Sequence, residues 1–226
     1  MPYIAEVIKL IRQELPKNIP LIGFGGAPFT LASYAIEGQG SRNYVHVKQM
    51  MYGDTDAWHR LMETITTTVI DYMNYQIESG VQAVQLFDSW VGCLSPIDYI
   101  QYVMPHSERL MKSISGKVPV IHFGTGNPAL APLLAKAGGD VLALDWRTPL
   151  IPTWDATGVK AVQGNLDPII LCSTPDAIRQ KAKELLDEVD GRPGHIFNLG
   201  HGIIPETPVE NVKALVDFVH EYTARD

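Results

Sequence analysis

Six short apolar runs alternate along the chain with polar, glycine-bearing corners and amphipathic stretches. The runs cover residues 20–26, 81–88, 118–124, 140–146, 161–167 and 195–200. Each is a short, largely apolar run, read as a buried strand. Between them lie helical periodicities. Trp58, Leu61, Met62, Ile65, Val69, Tyr72 and Met73 make one long stripe. Val209, Val212, Leu215, Val216 and Val219 make another, and Ile4, Val7, Ile8 and Ile11 a third with charges between them. Strand and helix in strict alternation predict parallel βα units. The expected fold is α/β, of the (β/α)8 TIM-barrel type, incomplete, with about six βα units in one domain over residues 1–226.

Helix starts are marked by a capping residue followed by proline, at Ser95-Pro96, Asn127-Pro128, Thr148-Pro149, Asp167-Pro168, Thr174-Pro175 and Thr207-Pro208. Thr207 and Glu210 also have the spacing of a capping box. Most of these caps closely follow a strand, so strand carboxyl ends and helix amino ends are expected on one side, where barrels place their chemistry. The stretch 38–52 is the one extended connection, a lid or a short extra helix.

Composition narrows the function classes. A net charge of −7 argues against nucleic acid or an anionic membrane as main partner. Two cysteines, Cys93 and Cys172, give no disulfide framework and fit a reducing cytosol. The amino-terminal helix is amphipathic, unlike a signal peptide, and no run reaches transmembrane length. These features point to a soluble, cytoplasmic chain.

Candidate chemistry sits at the corners. Gly23-Phe24-Gly25-Gly26 lacks the lysine and the spacing of a phosphate loop, so its glycines suggest a tight turn or close approach to a bulky ligand. Tyr34 follows, as a phenol reaching the barrel mouth or as a packing tyrosine. Asp88 and Ser89 end the second strand, where they can bind polar substrate groups or cap the backbone. His122 reads as a core histidine. Asp145 and Asp167 are further strand-tip carboxylates, and Asp167 before proline reads as a cap. His201, between Gly200 and Gly202, is the sharpest candidate, because flanking glycines free the backbone and expose the imidazole. No metal site is expected: position 124, two after His122, is glycine, and no cysteine lies near His201 in sequence.

In this order, GFGGAPFTLASYAIEG, VQLFDSW, VLALDWR, VQGNLDP and FNLGHGI resemble uroporphyrinogen decarboxylases over essentially the whole chain. The resemblance implies a cofactor-free carboxy-lyase of porphyrin and heme biosynthesis, a homodimer in its complete form. Such an enzyme removes four carbon dioxide molecules from uroporphyrinogen III to give coproporphyrinogen III. By motif position, Tyr34, Ser89 and His201 correspond to substrate-contacting residues, with His201 near a substrate carboxylate. The family also carries an RQAGR-type arginine motif and an aspartate on its second strand, and neither occurs in this sequence. No catalytic residue is therefore assigned, and Arg42 and Arg147 are merely near the mouth. The expected content is the third to eighth βα units, with little activity from this chain alone. The alternatives are a corrinoid-linked methyltransferase of the same superfamily, whose HxC pair is missing here, and a non-catalytic barrel fragment.

Overall fold

The computed structural model describes residues 2–224. The chain divides into two compact units, residues 1–142 and 143–226. The first holds α1 (Pro2–Glu14), β1 (Ile22–Gly26), α2 (Pro28–Glu37), α3 (Val45–Gly53), α4 (Thr55–Ser79), β2 (Ala83–Asp88), α5 (Pro96–Tyr102), α6 (Met104–Ile114), β3 (Val120–Gly124) and α7 (Ala131–Ala137). Strand β4 (Val141–Leu144) runs across the boundary. The second unit continues with α8 (Leu150–Thr157), β5 (Ala161–Leu166), α9 (Pro175–Val189), β6 (His195–Leu199) and α10 (Val209–Thr223). All six expected strands form, each shortened by up to three residues where the apolar run enters a turn. The connection 38–52 is largely α3, which buries Val47 and Met51 completely and so is a packed helix.

In the first unit β1, β2 and β3 pair in parallel, with Phe24 opposite Gln85 and Leu86 opposite His122. Val84, Leu86 and Val120 pack against Val69 and Met73 of α4, Leu110, Met111 and Ile114 of α6, and Ile8 of α1. Each such side chain contributes about 1.5–3 kcal/mol on leaving water. Helix α4 starts on the Asp54 carboxylate, which accepts from the Ala57 N–H at 3.0 Å, and ends at Gly80 with φ of 113°. Its Gln76 amide fills both unpaired backbone positions of Phe24, accepting from the N–H at 3.1 Å and donating to the carbonyl at 2.9 Å. A stretch of strand edge is thereby satisfied from within the unit.

The glycines of β1 serve this helix packing. A Cβ at Gly23 would stand 2.7 Å from the Gln76 Oε1, and one at Gly25 would stand 2.6 Å from the Met73 Cε. The close approach expected at this turn is thus to α4, not to a ligand.

In the second unit β5 pairs in parallel with β6, Asn165 opposite Asn198. Leu166, Leu171, Ile178, Ala182 and Leu215 form the core, with Val212, Phe218 and Val219 packed on it. The valine stripe of α10 is only partly buried, since Val209 and Val216 face solvent. Ser95, Asn127, Asp167 and Thr174 cap as expected. Thr207 and Thr148 do not. Helix α10 begins after Pro208 without a side-chain cap, and the Glu210 carboxylate is held by Lys213 at 3.0 Å. The Thr148 hydroxyl donates instead to Asp145 at 3.1 Å. Among the described residues no helix is long and apolar enough to cross a membrane.

Candidate functional site

At the carboxyl end of β2 the chain turns through Asp88, Ser89 and Trp90 into a single 3-10 turn, Val91–Cys93. Asp88 is fully buried. The Thr30 hydroxyl of α2 donates to its Oδ1 at 3.1 Å and accepts from the Trp90 N–H at 3.4 Å. One threonine therefore ties the first turn of α2 to the tip of β2. The second carboxylate oxygen has no hydrogen-bond partner among the described residues. Burial pushes the Asp88 carboxyl up to about 7, against the lowering effect of hydrogen bonds from Thr30. Asp88 is thus no solvated substrate anchor; its hydrogen bonds come from Thr30, in the first turn of α2.

Ser89 is half-buried on this turn. Tyr34, 44% exposed on α2, sets its ring edge-on to Trp90 at 5.9 Å and 84°. Tyr34 and Ser89 therefore adjoin the same indole, one by ring contact and one by chain connectivity. Tyr44 packs on Trp90 as well, at 6.0 Å, and burial raises its phenol to about 12. Cys93 is also a poor nucleophile, because burial pushes its thiol up to about 11. His122 is core: its Nδ1 lies 3.2 Å from both the Leu134 and Gly138 carbonyls, and burial lowers the imidazole to about 4.

In the second unit the carboxyl end of β4 runs into Asp145-Trp146-Arg147, and the carboxyl end of β6 into Gly200-His201-Gly202. Gly200 lets these two corners meet: a Cβ there would stand 2.3 Å from the Trp146 backbone nitrogen. Neither Gly200 nor Gly202 adopts positive φ, so close approach at Gly200, rather than unusual backbone angles, is what this motif needs. His201 is exposed, its ring edge-on to Trp146 at 6.3 Å and 88°. Asn165, at the end of β5, donates to the Asp145 carbonyl at 2.8 Å and the Thr148 carbonyl at 2.7 Å, fixing the corner from below. Asp167 caps the Ile169 N–H at 2.9 Å, as its position before proline suggested.

Thr30 leaves no signal in the sequence, and Arg147, expected near the mouth, has no role assigned from it. Thr30 lies inside an apparently ordinary helix start, and its two bonds depend on the fold bringing β2 alongside. Arg147 was visible as part of a carboxylate–indole–guanidinium run, a pattern that marks a held arginine.

A chain of alternating parallel strands and helices, with hydroxyl, phenol, imidazole and carboxylate groups at or just beyond strand carboxyl ends, is an incomplete protein of the (β/α)8 TIM-barrel type. Solved structures agree at the level of fold. A methyltransferase from Methanosarcina mazei superposes with a TM-score of 0.84 at 24% identity, covering 99% of this chain and 65% of that one. A B12-independent methionine synthase from Shewanella sp. W3-18-1 gives 0.63 at 15% identity, covering 97% and 67%.

The family is set by sequence. The family described as uroporphyrinogen decarboxylase (URO-D) matches residues 1–222. Uroporphyrinogen decarboxylase from Carboxydothermus hydrogenoformans is 52% identical over 99% of this chain. That from Thermus thermophilus is 51% identical over 99%. The chain belongs to the uroporphyrinogen decarboxylase family. It spans about 65% of the length of these two relatives.

Proposed function

We propose that this chain is the substrate-holding part of a uroporphyrinogen decarboxylase, acting on uroporphyrinogen III to give coproporphyrinogen III. The observation that carries the reading is the family match through residues 1–222, with relatives of that name near 50% identity across nearly the whole chain. Tyr34, Ser89 and His201 are the proposed substrate contacts. Tyr34 and Ser89 adjoin Trp90 in the first unit, and His201 stands at the end of β6 in the second. In this reading residues 1–226 are one incomplete barrel domain, the third to eighth βα units. The complete form is a cytoplasmic homodimer.

The chemistry follows from the substrate. Loss of carbon dioxide from an acetate breaks its carbon–carbon bond and leaves an electron pair that needs a sink. A protonated pyrrole ring accepts the pair, and the resulting methylene is then protonated to a methyl group. A protein performing this stabilises cationic charge on the ring with a carboxylate and holds the substrate's many carboxylates with cationic donors. The exposed imidazole of His201 suits contact with one of those carboxylates. Tyr34 and Ser89 supply hydroxyl groups for orientation.

Because the arginine motif and second-strand aspartate of the family do not occur in this sequence, this chain is expected to bind substrate and turn it over slowly at most. The test is an anaerobic assay for coproporphyrinogen, run on this chain and on the same chain joined to a family segment carrying both motifs. Turnover by the joined form, lost by about 100-fold in His201→Ala, is the expected result. A joined form that folds and makes no coproporphyrinogen sinks the reading. Sedimentation of the joined form tests the dimer.

A further inference from the structure

Arg147 is held in a way that a solvated surface arginine is not. Its backbone N–H donates to the Asp145 Oδ1 at 3.0 Å and its Nη1 to the Asp145 Oδ2 at 3.0 Å, so one carboxylate fixes the residue at both ends. Asp145 is fully buried and also accepts from Thr148 Oγ1, and its contact with the guanidinium engages Nη1. The guanidinium carbon lies 3.8 Å from the centre of the Trp146 ring, an indole that also makes a T-shaped contact with His201. Three restraints thus fix a planar cation, while 49% of the side chain's surface stays exposed. Charge balance for the buried Asp145 carboxylate accounts for the Nη1 contact, but not for the indole beneath the guanidinium or for the half of the side chain left in solvent. What the arrangement achieves is preorganisation: a fork of N–H donors with its direction set in advance and an imidazole on the same indole.

We infer that Arg147 is a substrate-carboxylate binding residue, acting beside His201 on the same side of the second unit. The ligand class is a tetrapyrrole polycarboxylate, with acid groups several ångströms apart around an apolar macrocycle, one ring of which can rest against Trp146. The inference rests on the tetrapyrrole reading above, and it assigns to this chain a guanidinium for which the family's arginine motif is not needed.

The test is a fluorescence titration of this chain with uroporphyrin III, the stable octacarboxylate analogue of the substrate, at low and high salt. Arg147→Met is expected to weaken binding by about tenfold, the scale of one charge-assisted pair. Arg147→Lys keeps the charge and loses the fork, so a loss of about threefold is expected. If Arg147→Met fails to fold, Arg147→Lys decides alone, because its ammonium still pairs with Asp145. Melting temperature is read alongside, since a merely structural pairing would lower it and leave affinity unchanged. Both variants binding like the parent would overturn the role of Arg147 and leave the tetrapyrrole reading intact. No saturable binding by the parent chain would overturn both.

Discussion

Asp88 and the buried histidines pull stability in opposite directions with pH. The Asp88 carboxyl is raised to about 7 in the folded chain, so between the carboxylate's ordinary value and 7 the unfolded chain has released a proton that the folded chain keeps. Its contribution therefore falls as pH rises through that window, by on the order of 4 kcal/mol. His122 and His106 are both lowered to about 4, by burial above all. His106 also shares a 2.9 Å contact with His59, which disfavours its charge further. Below pH 6.5 the unfolded histidines take up protons that the folded ones refuse, so stability falls as pH falls from about 6.5 to 4. Two groups outweigh one. Denaturant midpoints are expected to rise from pH 4 to 6.5, and more steeply in Asp88→Asn, which removes the opposing carboxyl. An Asp88→Asn profile no steeper than the parent's would show that this carboxyl is not held neutral.

At the scale of elements, the glycine corners separate close approach from ornament. Gly200→Ala puts a methyl group 2.3 Å from backbone that cannot swing away, and is expected to cost about 1–3 kcal/mol in chemical denaturation. Gly202→Ala meets nothing within 4 Å, and a change within about 0.5 kcal/mol is expected. Caps divide in the same way. Thr174→Ala loses a bond to the Ala177 N–H and about 1 kcal/mol, whereas Thr207→Ala loses no cap bond to its helix. Thermal melts of the four variants check these orders. Such contrasts also show what was legible from sequence. Strands β2 to β5 could be read because burial on both faces leaves a largely apolar run. Strands β1 and β6, also expected to be buried, keep exposed residues because each stands at an edge of the six-stranded order. The caps at Ser95, Asn127, Asp167 and Thr174 could be read because donor and acceptor lie within three residues. Thr148 and Thr207 could not, since competing partners, Asp145 for one and Lys213 for the Glu210 of the other, take groups the local pattern had assigned to the cap. The glycines of β1 mark where α4 lies, and a helix fifty residues further along the chain leaves no local trace.

For the whole molecule, the alternation of strand and helix sets the barrel type, and the corner motifs set the family. The three proposed contacts came from matching motif positions; local pattern alone favoured only His201, because phenols and hydroxyls at helix starts and strand tips more often pack or cap. In the first unit an indole stands beside Tyr34 and Ser89, and in the second another stands beside His201 and Arg147, so each unit by itself sets an apolar ring next to polar groups. The edge of β1, which an incomplete barrel would leave open to pairing, is closed at Phe24 by Gln76. Gln76→Leu leaves a part-buried N–H and carbonyl of Phe24 without their side-chain partner, so a loss of about 1 kcal/mol and greater self-association by light scattering are expected.

The most direct measurement is an anaerobic calorimetric titration of this chain with uroporphyrinogen III, repeated for Tyr34→Phe, Ser89→Ala and His201→Ala. Saturable one-to-one binding, weakened in each variant, is the outcome that the proposed roles of Tyr34, Ser89 and His201 predict. Heat that never saturates, or an affinity indifferent to all three changes, would contradict it.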